Sequence, residues 1–132
     1  MADTQAMAAE FEAAYRSGDM GQMTRIAHKY GAPEFVQEWP QSGERLNLEN
    51  SIKLLDSYAE MAGGPQPTFT YKGMRAGGDL FVVEGSIDYG DGVPVSYVGI
   101  GQLRDGKVTR MTEYFANPFP APEWRKPFVE RA

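Results

Sequence analysis

The stretch GDLFVVEGSIDYGDGVPVSYVGIGQLRDGKVTRMTEYF, residues 78–115, decides the fold of this chain. Its residues are mostly β-branched and aromatic, and apolar and polar side chains roughly alternate, which is typical of β-strands. Glycine-rich turns interrupt it at residues 90–92 and at Asp105-Gly106, and the second is a dipeptide that two-residue hairpin loops favour because both positions need positive φ. The stretch therefore predicts three consecutive antiparallel strands.

Length and composition narrow the class of protein. A chain of 132 residues with 42% hydrophobic content forms one domain with a substantial core. The net charge of -5, without a stripe of Lys or Arg, argues against nucleic acid and anionic membranes as partners. The chain has no Cys and one His, which argues against disulfides, thiol nucleophiles and a zinc site, and we expect no cofactor. Because the N-terminal residues lack the pattern of a secretory signal and no apolar run is long enough to span a membrane, we expect a soluble cytoplasmic protein.

Three helices are predicted ahead of this stretch, from apolar residues that recur at spacings of three and four. The first is capped by Asp3 or Thr4 and ends at Gly18. The second runs from about residue 20 to residue 30, and the third from roughly residue 48 to residue 61. The only histidine, His28, lies away from the apolar face of the second helix, so we expect it to be solvated rather than catalytic.

Two more strands and a C-terminal tail complete the predicted elements. EFVQEWP, residues 34–40, predicts a short strand that ends at its proline and leaves Trp39 at the rim of the sheet, followed by a loop. PTFTYKGMRAG, residues 67–77, predicts another strand. Four prolines in the tail, residues 118–132, exclude regular structure, and three bulky aromatic residues predict an ordered strap over an apolar surface of this subunit or of a neighbour. These tail residues are Pro118, Pro120, Pro122 and Pro127, and Phe119, Trp124 and Phe128.

Loop lengths predict how the three strands are paired. A two-residue loop at Asp105-Gly106 places Val98 opposite Glu113, and a three-residue loop at residues 90–92 places Glu84 opposite Val98. A two-residue loop at Asp91-Gly92 would instead shift the register by one residue and separate the two carboxylates onto opposite faces. With the longer loop, one face would hold Leu80, Val82, Glu84, Ser86, Ser96, Val98, Ile100, Thr109, Met111, Glu113 and Phe115.

Glu113 and Glu84 are the candidate catalytic residues on this face. A carboxyl group surrounded by apolar side chains has its pKa raised by desolvation, which suits it to general acid or base work near neutral pH. The structural alternative is that each glutamate faces solvent or pairs with Arg75 or Arg110. The residues expected to line a pocket with the two glutamates are Trp39, Tyr58, Val82, Ser86, Val98, Ile100, Met111 and Phe115.

The opposite face of the predicted sheet is also apolar and aromatic, with Tyr89, Tyr97 and Tyr114 among its side chains. Two apolar faces need two coverings, and the three helices supply one. We therefore expect a homodimer that forms through the outer face of the sheet.

Three sequence segments carry a resemblance to a known family: WPQSGERLNLENSI at residues 39–52, LRDGKVTRMTEYFANPF at residues 103–119, and APEWR at residues 121–125. The chain resembles the nuclear-transport-factor-2-like superfamily, in particular its SnoaL-like branch of polyketide cyclases and limonene epoxide hydrolase-like proteins. The resemblance implies a single SnoaL-like domain over residues 1–132. It also implies an α+β fold, a cone-shaped roll in which three N-terminal helices pack on a strongly curved antiparallel sheet and enclose an apolar pocket.

The resemblance also narrows the function. In the epoxide hydrolases, one acidic residue falls where this chain has Glu113 and another near Glu84, but the arginine two residues before the second falls at Val82 here, which weakens an epoxide-opening interpretation. The branch implies a cofactor-free isomerase, cyclase, dehydratase or hydrolase that acts on a small apolar or polycyclic molecule with a carboxylate general acid/base. The alternative is a non-catalytic small-molecule-binding protein, or a dimeric scaffold, of the same fold.

Overall fold

The computed structural model describes residues 2–61 and 67–131, without the side chains at positions 2, 3, 20 and 58–61. Three helices are present, as predicted: α1 spans Ala2–Ser17, α2 spans Met20–Tyr30 and α3 spans Leu48–Met61. Helix α1 begins before the predicted cap and ends where Gly18 adopts a φ of +68°. Asp19 then caps α2 by accepting a hydrogen bond of 2.9 Å from the backbone N–H of Gly21.

Six strands form one sheet in the order β2-β1-β6-β5-β4-β3. Strand β1 is parallel to β6, so the sheet is mixed, and the expectation of a wholly antiparallel sheet is wrong. Strand β2 was predicted to be a loop. The remaining strands lie in the segments predicted for them, and the α+β fold of helices on a curved sheet is confirmed. The strands are β1 Gly31–Trp39, β2 Glu44–Asn47, β3 Thr68–Gly77, β4 Leu80–Asp88, β5 Val95–Arg104 and β6 Lys107–Ala116.

The pairing of β5 with β6 differs from the prediction by one residue. Glu84 pairs with Val98, as a three-residue loop requires, and Arg104 pairs with Lys107 across the predicted two-residue turn. The register then shifts, because Leu103 pairs with Val108 but Gln102, the residue before Leu103, pairs with Arg110. Thr109 is thus the extra residue of a β-bulge, and from there on every side chain of β6 points to the face opposite the predicted one.

The bulge reverses the assignment of the two sheet faces. Glu113 pairs with Gly99, and it shares the helix-covered face with Val83 and Tyr97, which are buried. Helix α1 packs against β3 and α3 packs against β1, so the hydrophobic core lies between the helices and this inner face. The outer face carries the β4 and β5 residues that the sequence placed in the pocket wall, and it is partly exposed.

The C-terminal tail contains a 3-10 helix at Glu123–Phe128, so the expectation that its prolines exclude regular structure is wrong for these six residues. The side chains of Phe119, Trp124 and Phe128 are 73%, 74% and 82% exposed. Within one chain, these aromatic rings therefore cover little apolar surface. Among the residues that the structure describes, no helix has the length and apolarity needed to cross a membrane.

Candidate functional site

A cavity of about 180 Å³ lies between the inner face of the sheet and the helices. A water molecule in the liquid occupies ~30 Å³, so the cavity has room for a small organic molecule. Most of the lining is aliphatic and aromatic, with contributions from all three helices. The polar side chains that line it are Tyr15, Gln37, Ser51, Tyr89, Tyr97 and Glu113. An apolar cavity with a few polar groups is the usual form of a small-molecule site.

Glu113 is the carboxylate in this cavity, and neighbouring strands supply donors to both of its oxygens. The indole N–H of Trp39 donates to Oε1 at 2.9 Å, and the side-chain amide of Gln37 donates to the same oxygen. The hydroxyl of Tyr97 donates to Oε2. Charge-assisted hydrogen bonds of this kind compensate for much of the hydration free energy that a carboxylate loses in an apolar site.

The parallel pairing of β1 with β6 brings Gln37 and Trp39 to Glu113. Gln37 lies beside Met111, two residues before Glu113 on β6. Because side chains alternate along a strand, Gln37 and Trp39 point to the same face. The ring of Trp39 also packs edge-on against Phe115, with centroids 6.2 Å apart and an interplanar angle of 80°. This contact fixes the indole beside the carboxylate.

A second buried tyrosine, Tyr15 of α1, lies next to Tyr97, with ring centroids 6.5 Å apart. Because a carboxylate can only accept, the single proton of the Tyr97 hydroxyl goes to Glu113. Burial, and next the negative charge of Glu113, raise the pKa of both tyrosines well above the ordinary value. Both hydroxyls therefore stay protonated at neutral pH and do not act as bases.

Gly99 leaves the space that the Tyr97 side chain needs to reach Glu113. A Cβ at position 99 would press against the hydroxyl oxygen of Tyr97 and would lie 2.8 Å from Cε of Met111. Glycine inside a strand often marks such a close approach. Because Gly99 has no side chain, the Tyr97 hydroxyl can pass over this residue and reach Glu113 on the neighbouring strand.

The structure brings together four of the predicted site residues. Glu113, Met111 and Phe115 line the cavity, and Trp39 hydrogen-bonds to Glu113. The side chain of Tyr58 lies outside the described residues. The alternative in which Glu113 pairs with an arginine is not observed, since Arg110 instead pairs with Glu38 on the outer face.

The other predicted site residues lie on the outer face, so their assignment to the pocket is wrong. Glu84 is exposed and pairs with Val98, which in turn pairs with Tyr114, on the side away from the helices. The prediction failed because it continued the register of the Asp105-Gly106 turn along β6 without the extra residue Thr109. The residues placed on the outer face by this correction are Glu84, Val82, Ser86, Val98 and Ile100.

Sequence reasoning missed Tyr15, Gln37 and Ser51 as site residues and assigned Tyr97 to the outer face. One usable signal was the alternation Gln37-x-Trp39 on a strand, which places an amide and an indole on one face. The other was a strand with glycine at residues 99 and 101, because two strand glycines on one face indicate that large side chains cross there.

The fold and the cavity define the class of this chain as an α+β protein whose helices and curved sheet enclose a small-molecule-sized site. The family profile described as a SnoaL-like domain matches residues 8–111. The chain therefore belongs to the SnoaL-like family, which confirms the resemblance noted in its sequence. A comparison with curated proteins gives no match.

Solved structures agree with this family. An NTF-2 like protein of unknown function from Burkholderia xenovorans LB400 is 30% identical, with a TM-score of 0.72 over 98% of this chain and 95% of the other. A protein from Kribbella flavida DSM 17836, provisionally assigned as a ketosteroid isomerase, is 21% identical, with a TM-score of 0.79 over 98% and 90% of the two chains. A provisionally assigned SnoaL-like polyketide cyclase from Jannaschia sp. CCS1 is 18% identical, with a TM-score of 0.65 over 86% and 85%. The last two likenesses concern the fold alone.

Proposed function

We propose that this protein binds a small, largely apolar molecule in the cavity and moves a proton on it with Glu113, without a cofactor. The observation that carries the proposal is the position of the carboxylate, which lies in an apolar cavity and is oriented by Trp39, Gln37 and Tyr97. Fixed orientation and a water-poor setting are what a carboxylate base needs to act on a bound substrate.

The hydrogen bonds also indicate which oxygen would take the proton. Oε1 of Glu113 accepts from both Gln37 and Trp39, which uses its two lone pairs. Oε2 accepts only from Tyr97 among the described residues, and one lone pair remains for a substrate proton. We therefore assign Oε2 as the atom that removes a proton and returns it at another position of the substrate.

The reaction class follows from the number of carboxylates. Among the cavity-lining residues that the structure describes, Glu113 is the one carboxylate, since Glu84 lies on the outer face. A single acid/base suits isomerisation, cyclisation or dehydration, in which one group can both take and return a proton. Epoxide opening by a pair of acidic residues is correspondingly less well supported.

Glu113→Gln tests the proposed base, because the amide keeps the shape of the side chain and removes its ability to accept a proton. A substrate can be found by native mass spectrometry of co-purifying molecules. A bicyclic β,γ-unsaturated ketone is a second probe, because its isomerisation to the conjugated ketone is followed by ultraviolet absorbance. We expect turnover to fall by at least ~100-fold, since general acid-base groups contribute ~10²–10⁴. Glu84→Gln is the matched control and should keep full activity. Unchanged turnover by Glu113→Gln would exclude Glu113 as the base.

Binding without conversion is the second candidate function, and one observation favours it. Protein donors already contact both oxygens of Glu113, so the carboxylate could serve as a fixed acceptor for a ligand hydroxyl. In that case a co-purified ligand would be recovered unchanged after long incubation. Glu113→Gln would then alter affinity or selectivity but no rate of conversion.

We also propose that the protein forms a homodimer through the outer face of the sheet. On that face Leu80 is 41% and Tyr114 is 46% exposed, and Val98 and Ile100 are partly exposed between them. The exposed aromatic residues of the tail supply further apolar surface to the same subunit. Burial of both surfaces in a dimer would remove this apolar area from water. A cytoplasmic location remains the expectation that the composition supports.

A further inference from the structure

We propose that the hydroxyl of Ser51 is a second polar anchor of the cavity, which binds a carbonyl or hydroxyl oxygen of the ligand independently of the Glu113 network. Ser51 is 5% exposed and lines the cavity. Among the described residues, its Oγ is the one buried side-chain oxygen or nitrogen without a hydrogen-bond partner, and less than 1 Å² of this atom is exposed. A rotation about the Cα–Cβ bond of Ser51 would therefore present the hydroxyl to the ligand. The inference rests on the proposed function, since it assigns a role inside the same ligand cavity.

An unpaired buried hydroxyl is unusual, and other helical serines of this chain show how such a group is normally satisfied. The hydroxyl of Ser17 donates to the carbonyl of Ala14 at 2.7 Å, and that of Ser57 donates to the carbonyl of Leu54 at 2.7 Å. Ser51 lies on the same helix as Ser57, and it makes no bond of this kind. Because buried polar groups are nearly always hydrogen-bonded, the missing partner points to a molecule that occupies the cavity.

The surroundings of Ser51 indicate the chemistry of that molecule. Leu48, Ser51 and Leu55 recur at spacings of three and four, so they form one stripe of α3, and all three line the cavity. Ser51 is the polar member of an otherwise apolar stripe, where an alanine would bury no unpaired polar group. A serine hydroxyl both donates and accepts, so it suits a neutral oxygen. The ligand would therefore have an apolar body with two oxygen functions, one for Glu113 and one for Ser51.

Stability of the ligand-free protein provides a test that needs no ligand. Ser51→Ala removes an unpaired buried hydroxyl, whereas the control Ser57→Ala removes a hydroxyl that is hydrogen-bonded to the carbonyl of Leu54. We expect Ser51→Ala to raise the melting temperature by about 3 °C and Ser57→Ala to leave it unchanged or lower it. A melting temperature of Ser51→Ala that is unchanged or lower than that of the wild type would show that the hydroxyl already has a partner such as a water, and would overturn the proposal.

Binding of matched probes tests the anchor itself. The probes are 6-hydroxy-1-tetralone, which has two oxygen functions, 1-tetralone and 5,6,7,8-tetrahydro-2-naphthol, which have one each, and tetralin, which has none. Calorimetry should show that Ser51→Ala binds the two-oxygen probe roughly threefold to tenfold more weakly than the wild type does, as expected for the loss of one hydrogen bond. The affinity for tetralin should be unchanged. Equal affinities of wild type and Ser51→Ala for all probes that bind would overturn the proposal. If none of the four bound to the wild type, the proposed ligand class would fail, and the melting temperatures would still decide whether Ser51 is unpaired.

Discussion

At the scale of single residues, Gly99 is the position on which the geometry of Glu113 depends most. Its φ is not in the left-handed region, so glycine is required here for space and not for backbone conformation. Because Gly99 pairs directly with Glu113, a side chain at position 99 would stand where the Tyr97 hydroxyl crosses to the carboxylate.

Gly99→Ala should therefore displace Tyr97 from Glu113. Overpacking of a filled interior costs ~1–3 kcal/mol in the free energy of unfolding, which chemical denaturation will measure. Activity should fall together with stability. The control Gly77→Ala lies on another strand in open space, with nothing within 4 Å of the added methyl, and should change stability by less than ~0.5 kcal/mol. A similar loss in both variants would indicate a general cost of removing a strand glycine.

The buried tyrosines make stability depend on alkaline pH. In the folded protein the pKa of Tyr15 and of Tyr97 lies above the ordinary value, because of burial and of the charge of Glu113. Above the ordinary tyrosine pKa of ~10, the unfolded chain loses these protons while the folded chain retains them. The free energy of unfolding should therefore be intact below pH ~10 and fall above it, by about 1.4 kcal/mol per pH unit for each tyrosine.

Denaturant titrations at a series of alkaline pH values will measure this slope, with tyrosinate absorbance as a direct count of ionised groups. Tyr15→Phe and Tyr97→Phe should each reduce the slope by about 1.4 kcal/mol per pH unit. If both variants kept the slope of the wild type, the ionisation of other groups would account for it, and the two buried hydroxyls would not be its source.

At the scale of elements, local signals predicted the helices and hairpins well. The bounds of α2 and the start of α3 follow from apolar spacing and from glycine or capping residues, and the two turns of the hairpins follow from Gly90-Asp91-Gly92 and Asp105-Gly106. These signals are local because they depend on backbone conformations that only certain residues adopt easily. Strand β2, which is four residues long, carries too little alternation to be recognised.

The candidate site was predicted only in part, because it depends on pairing between distant segments. Glu113, Trp39, Met111 and Phe115 were identified by residue type and position. Tyr97, a partner of Glu113, was assigned to the wrong face, since the bulge at Thr109 has no distinctive residue and yet reverses the face of β6. The parallel pairing of β1 with β6, which supplies Gln37, joins segments more than 70 residues apart and leaves no local signal.

At the scale of the whole molecule, the same bulge determines which surface remains exposed. It directs Glu113 and Phe115 inward and leaves Tyr114, with Val98 beside it, on the outer face. Trp124 of the tail is also exposed, to 74% in the single chain, but it is not part of this face. A face of this composition favours association with a second copy, since the interfaces of homodimers are rich in aliphatic and aromatic surface.

Val98→Lys tests this assembly, because a charge at the centre of the outer face would have to lose its hydration in a dimer. We expect the wild type to sediment as a dimer at micromolar concentration. Val98→Lys should raise the dimer dissociation constant by ~30-fold or more, which corresponds to ~2 kcal/mol at a central position. Trp124→Ala should give a smaller increase. Ala13→Lys, at an exposed position of α1, is the matched control and should leave the dissociation constant unchanged. A wild-type chain that is monomeric at these concentrations would contradict the dimer. Equal dissociation constants for Val98→Lys and the control would place the interface on another surface.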